Sequence, residues 1–148
     1  MQGETFSVAD NLTKLQRSRN MSRIRAKNTR PEMLVRSVLH RLGYRFRLHS
    51  PGLPGRPDVV LTKYKTVVLV HGCFWHHHAR CKRATMPASN QTYWRAKLAG
   101  NKARDTLNAR RLKRLGWRRI VVWECALEDE QKLATRLIRA LHQNPRGP

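Results

Sequence analysis

The sequence predicts a single mixed α/β domain in which helices flank a central sheet. Three observations carry that prediction. Short β-branched runs, DVVL (58–61), TVVLV (66–70) and RIVVW (119–123), have the length of buried strands. Segments with apolar residues at helical spacing precede, separate and follow them. The chain's 148 residues with 40% apolar content suffice for one modest core, and no internal repeat interrupts the pattern.

Residues 1–20 read as a flexible basic and polar arm, residues 21–142 as the domain and residues 143–148 as a tail. TRPE (29–32) supplies an N-cap, a first-turn Pro and a capping-box Glu. Leu34, Val35, Val38, Leu39 and Leu42 then recur at helical spacing until Gly43 stops the helix. Residues 44–48 alternate apolar and basic, a strand with one wet face. SPGLPGRP (50–57) holds three prolines and two glycines and must be a loop. The next two strands join through a turn around Lys63 and Tyr64. A long basic helix covers about residues 92–115 and ends at Gly116, and the strand at 119–123 follows. Glu128, Asp129 and Glu130 place negative charge at the start of a last helix, as its dipole favours.

Thirty-one Lys and Arg against nine Asp and Glu give a net charge of +22. Such an excess points to a polyanionic partner, and the plainer reading is a highly charged soluble protein. The first twenty residues contain acids and no apolar core, so they do not form a signal peptide. The longest apolar runs are far too short to span a bilayer. Three cysteines cannot close a disulfide framework, so a cytoplasmic protein with thiols free for a metal is expected.

In so basic a chain each internal acid asks what it neutralises. Setting aside the arm and the last helix, Glu32, Asp58, Asp105 and Glu124 remain. Asp58 follows a Pro/Gly loop and opens a strand, which puts its carboxylate at the sheet's edge. Phosphodiester hydrolysis uses such a carboxylate to hold Mg²⁺. A strand-start Asp bonded to the preceding turn is the alternative. Glu32 has a capping explanation, and Asp105 has one in helix salt bridges.

HGCFWHHHARC (71–81) packs two cysteines, four histidines and two aromatics into eleven residues. Cys73, His78, Cys81 and the distant Cys125 supply the four ligands that tetrahedral zinc takes. A site filled by protein leaves no room for substrate and is structural. The alternative is a buried Cys125 and surface histidines. Among the remaining His71, His76 and His77, His76 is the one beside the ligand loop, held where a general base is useful. Phe74 and Trp75 lie between the ligands and suit a wedge between base pairs. Trp94, at the start of the basic helix, either joins them or packs in the core.

LPGRPD (53–58), HGCFWHHH (71–78), Tyr93-Trp94 with Asn101, Arg104 and Asp105 downstream, and GWRRIVVWECAL (116–127) together resemble the Vsr family of very short patch repair endonucleases. The likeness covers residues 18–127. It implies a restriction-endonuclease-like fold and a nick 5′ to the T of a T·G mismatch left by deamination of 5-methylcytosine. It also implies catalytic Mg²⁺ and structural Zn²⁺. Carried over by position, Asp58 and the Val70 backbone carbonyl hold Mg²⁺, and His76 is the general base. Glu32 assists the metal-water cluster, His71 lies by the scissile phosphate, and Asp105 supports the catalytic histidine. Cys73, His78, Cys81 and Cys125 bind zinc, and Phe74, Trp75 and Trp94 intercalate. Arg23, Arg25, Lys27, Arg56, Lys97 and Lys102 are expected on DNA phosphates. Implied partners are mismatched double-stranded DNA, mismatch-repair proteins and a cytosine-5 methyltransferase, and the protein is expected to act as a monomer in the bacterial cytoplasm, at the nucleoid.

The chain departs from the family pattern in places. One extra residue separates His78 from Cys81, so His77 competes as the zinc ligand. Position 70 is Val where Thr is expected. The strand acid and lysine usual in restriction-like nucleases are absent. A noncatalytic zinc-stapled module for mismatched or kinked duplex is the alternative function, and Mg²⁺-dependent cleavage separates the two.

Overall fold

The computed structural model describes Thr13, Leu15, Gln16 and residues 28–143. Most of the arm, with Arg23, Arg25 and Lys27, and residues 144–148 of the tail lie outside the described residues. Seven elements follow in the expected order: α1 (Arg30–Arg41), β1 (Arg47–Leu48), β2 (Val59–Leu61), β3 (Thr66–His71), α2 (Gln91–Arg114), β4 (Arg118–Trp123) and α3 (Glu130–His142). The sheet runs β1-β2-β3-β4, antiparallel for the first three strands and parallel between β3 and β4. A parallel neighbour needs a crossover, and α2 with the loop before it provides one.

Alternation along β2 divides the core. Val59 and Leu61 face α1 and α3, meeting Val35, Val38, Leu39, Leu133 and Leu137, while Val60 faces Leu112 of α2. The sheet is therefore covered on both faces, and its strands read as nearly continuous apolar runs.

Helix ends follow local chemistry. Thr29 caps α1 by accepting from the Glu32 N–H, and Asp129 caps α3 by accepting from the Lys132 N–H. Gly43, at φ +85°, ends α1 in the left-handed region that glycine tolerates.

Two expectations change. The first strand is two residues long, because Tyr44 turns back to α1, its N–H donating to the Leu39 carbonyl at 3.1 Å. The Tyr44 ring then packs edge-on to Tyr64 with its hydroxyl 3.0 Å from His142 Nε2. Asp58 precedes β2 instead of opening it, and its side chain turns across the sheet to β3.

Candidate active site and metal centres

The C-terminal end of β3, the start of β2 and the first turn of α1 enclose a cleft of about 770 Å³. Asp58 Oδ2 accepts from the Val70 N–H at 2.7 Å, so the carboxylate is anchored across the strands and not to its preceding turn. Glu32 is 4% exposed and touches the Asp58 carboxyl within the cleft. Burial lifts the Asp58 pKa to about 6 against the opposing Val70 N–H, and the Glu32 carboxylate adds to the rise. Carboxyl oxygens of Glu32 and Asp58 and a ring nitrogen of His49 lie within 4.8 Å of one another. Two crowded carboxylates suit a divalent cation, and an oxygen-rich donor set suits Mg²⁺.

On the facing wall, His76 Nδ1 lies 2.6 Å from Asp105 Oδ2. A carboxylate only accepts, so the proton sits on Nδ1 and Nε2 is left as the basic nitrogen. His71 stacks on His76 with ring centres 3.8 Å apart and planes 4° apart. Burial, and then the adjacent His76, push the His71 pKa down to about 4, so its ring is neutral at physiological pH. Its Nδ1 is buried with no hydrogen-bond partner among the described residues. Although His71, His76 and Asp105 each offer a ligand atom, lone pairs in parallel stacked rings do not converge on one ion. This group therefore suits proton handling, not metal binding.

Behind that wall the loop after β3 winds in consecutive turns, with N–H bonds from His76 to Gly72, His77 to Phe74 and His78 to Cys73. These turns bring Cys73, His78 and Cys81 to Cys125 beyond β4, their ligand atoms all within 4.8 Å. His78 Nδ1 lies 3.5 Å from Cys125 Sγ. Zinc bonds of ordinary length at tetrahedral angles give an N–S edge of roughly 3.6 Å, so the set fits zinc. His78 is further fixed by stacking on Trp123 at 4.0 Å, whereas His77 is exposed and outside the cluster. Burial pushes the Cys73 thiol up to about 12, and a bound cation would offset that cost by drawing out the thiolate.

Phe74, Trp75 and Trp94 form one aromatic group with centroids 5.1 to 6.1 Å apart. Phe74 and Trp75 are half-buried, and Trp94 lies beneath them at 8% exposure, its indole N–H without a hydrogen-bond partner among the described residues. Edge-to-face packing explains how the loop accommodates both rings. Asn101 Nδ2 donates to the Trp75 carbonyl at 2.9 Å, tying the loop to α2. Arg56, at φ +44°, sits exposed on the cleft rim. Lys97 is half-buried and Lys102 exposed on α2. A second groove of about 870 Å³ meets the cleft at the His71–His76 wall and is lined by Lys102, Arg110, Lys113 and Arg119.

Two contributors to the site escaped the sequence reading, His49 and Arg36, and Glu124 was singled out there without a role. The signal for His49 was present, since antiparallel strands closed by the 50–57 loop set it opposite Asp58; its N–H points to the Asp58 carbonyl at 3.4 Å. Arg36 is one helical turn from Glu32 and bonds it at 3.2 Å. Glu124 follows β4 and lines the cleft beside Gly72.

An anionic cleft with an acid-oriented imidazole, framed by cations that attract a polyanion, has the equipment of a nuclease. Sequence comparison particularises that class. A family model described as DNA mismatch endonuclease Vsr matches residues 9–83. The type II nicking enzyme V.XorIIP of Xanthomonas oryzae pv. oryzae is 47% identical over 130 residues, 88% of this chain and 95% of that protein. The DNA mismatch endonuclease Vsr of Escherichia coli is 43% identical over 126 residues, 85% of this chain and 80% of that protein. The type II nicking enzyme V.NmeAIP of Neisseria meningitidis is 41% identical over 136 residues, 92% of this chain and 96% of that protein. The chain belongs to the Vsr family of DNA mismatch endonucleases. Among the described residues no helix is long and apolar enough to cross a membrane.

Proposed function

We propose that this protein nicks one DNA strand 5′ to the T of a T·G mismatch arising from 5-methylcytosine deamination, using Mg²⁺, and so begins very short patch repair on a restriction-endonuclease-like scaffold. The observation that carries the reading is the pairing of two groups across one cleft: the Glu32–Asp58 carboxyls on one wall and the Asp105-oriented His76 on the other.

In this reading Asp58, with the Val70 carbonyl, would hold Mg²⁺, and Glu32 would assist it from beside Asp58. Bound Mg²⁺ supplies charge neutralisation and polarisation of the phosphate. His76 Nε2 takes the proton from the attacking water, while Asp105 holds the ring in the required tautomer and favours the imidazolium that forms. Neutral His71, stacked on His76, borders the scissile phosphate without repelling the imidazolium by its own charge. Zn²⁺ on Cys73, His78, Cys81 and Cys125 pins the loop that carries both histidines. Phe74 and Trp75, backed by the buried Trp94, enter the base stack, which costs less unstacking energy at a wobble pair than at a matched one. Arg56, Lys97 and Lys102 hold phosphates. Mismatch-repair proteins and a cytosine-5 methyltransferase are the functional partners that the family resemblance implies.

The test is a Mg²⁺ nicking assay on matched, T·G and other mismatched duplexes with randomised flanks. Cleavage confined to the 5′ side of the mismatched T is the expected result. Tight T·G binding without cleavage would leave a noncatalytic binding module. Equal cleavage of every duplex would keep the chemistry and remove the mismatch requirement.

A further inference from the structure

We propose that His49 is a positioning residue for the acid pair of the cleft: it accepts a hydrogen bond from Arg36 and thereby fixes the guanidinium that holds Glu32 beside Asp58. His49 has φ +46°, a left-handed conformation that L-residues adopt at a cost and that persists where surrounding structure demands it. Its backbone extends the β1–β2 pairing to Asp58, and its ring returns over the cleft.

There, His49 Nε2 lies 2.8 Å from Arg36 Nη2. A guanidinium only donates, so Nε2 accepts and the ring proton sits on Nδ1. The 3.6 Å approach of the same Nε2 to Glu32 Oε2 brings together two acceptors and is not a hydrogen bond. Arg36 is the link between them. Its Nη2 faces three acceptors, Asn28 Oδ1 at 2.9 Å, Glu32 Oε2 at 3.2 Å and His49 at 2.8 Å, with only two hydrogens to give. His49 makes the shortest contact of the three. Arg36 Nε is buried without a partner among the described residues, so this tip fixes the group's orientation.

The consequence falls on Glu32. Its Oε2 is occupied by the Asn28 N–H at 2.9 Å and by Arg36, which leaves Oε1 to the cleft. Asp58 has its own anchor in the Val70 N–H. Neighbouring carboxylates repel, and such anchors keep each in place; His49 sets the charged one of the two anchors of Glu32. Any hydrogen-bond acceptor of similar reach would serve, and that property separates positioning from metal ligation or proton transfer by the ring.

The part of this inference that concerns nicking rests on the proposed function, whereas the part that concerns the cation site does not. The test therefore has two arms, run on the full chain as wild type, His49→Ala, His49→Gln and Asp58→Asn. One arm measures Mn²⁺ binding without DNA by calorimetry and paramagnetic resonance. The other measures nicking of T·G duplex across a Mg²⁺ titration. His49→Ala is expected to weaken Mn²⁺ binding and to raise the Mg²⁺ half-saturation point by about tenfold or more, with duplex affinity and melting midpoint unchanged. His49→Gln, whose amide oxygen accepts the same bond, is expected to restore most of both losses. Equal Mn²⁺ affinity in wild type and His49→Ala overturns the proposal. Equal loss in the Ala and Gln variants overturns it too, since the imidazole itself would then be required. So does the absence of any Mn²⁺ binding that Asp58→Asn removes. If wild type fails to nick, the functional reading falls, and the Mn²⁺ comparison still decides the role of His49.

Discussion

At neutral pH the Asp58 carboxylate is ionised against its surroundings, because burial and the adjacent Glu32 raise its pKa from 3.8 to about 6. A raised folded-state pKa has a definite sign. Below pH 3.8 both folded and unfolded chains hold the proton and the group costs nothing. As pH rises from there to about 6 the unfolded chain releases its proton first and stability falls; above that the penalty levels off at about 3 kcal/mol. Asp58→Asn is expected to abolish nicking and to raise stability by about 2 kcal/mol at pH 7, with little gain near pH 3.5. Urea melts at the two pH values, beside a nicking assay, check this. A variant less stable at pH 7 would make the carboxylate a structural group. The residue was legible because a Pro/Gly loop ahead of a strand puts an acid at a sheet edge. Its anchor on Val70 was not, since a bond between strands depends on register.

On the proposed zinc reading, the loop between β3 and α2 depends on its ligands more than on a core of its own. Cys73 is fully buried, but His77, Ala79 and Arg80 are exposed, and His77 and Arg80 have positive φ. Removing zinc with a chelator is expected to lower the melting midpoint by about 10 °C or more, read by calorimetry. An unchanged midpoint would count against the four-ligand assignment. The order of all seven elements was readable because hydrophobic periodicity is a local property. The first strand came out shorter because Tyr44 prefers the helix end and the Tyr64–His142 group, contacts made with residues far along the chain. For the same reason the alternatives for Trp94 stayed open: a sequence window does not show that it lies beneath Phe74 and Trp75. The Cys/His set was readable despite its long span, because its chemistry leaves few other uses for four such side chains.

For the molecule as a whole, +22 net charge coexists with an acidic cleft, so polarity is divided in space. Glu32, Asp58 and Glu124, with Arg56 at the rim, line one side of the His71–His76 wall, Lys102, Arg110, Lys113 and Arg119 line the other, and Asp105 borders both. Contacts to about six to eight phosphates predict a three to four order-of-magnitude loss of duplex affinity between ~50 and ~200 mM salt. Fluorescence anisotropy across that range measures it, and a flat response would rule out phosphate contacts as the source of affinity. One short span, His71 to Cys81, contains both catalytic histidine candidates and three of the four candidate zinc ligands. A DNA endonuclease is hazardous when half-made. On the proposed reading the base and the clasp share the same eleven residues, a safety interlock by which a newly synthesised chain would gain the power to cut only once its fold is fastened.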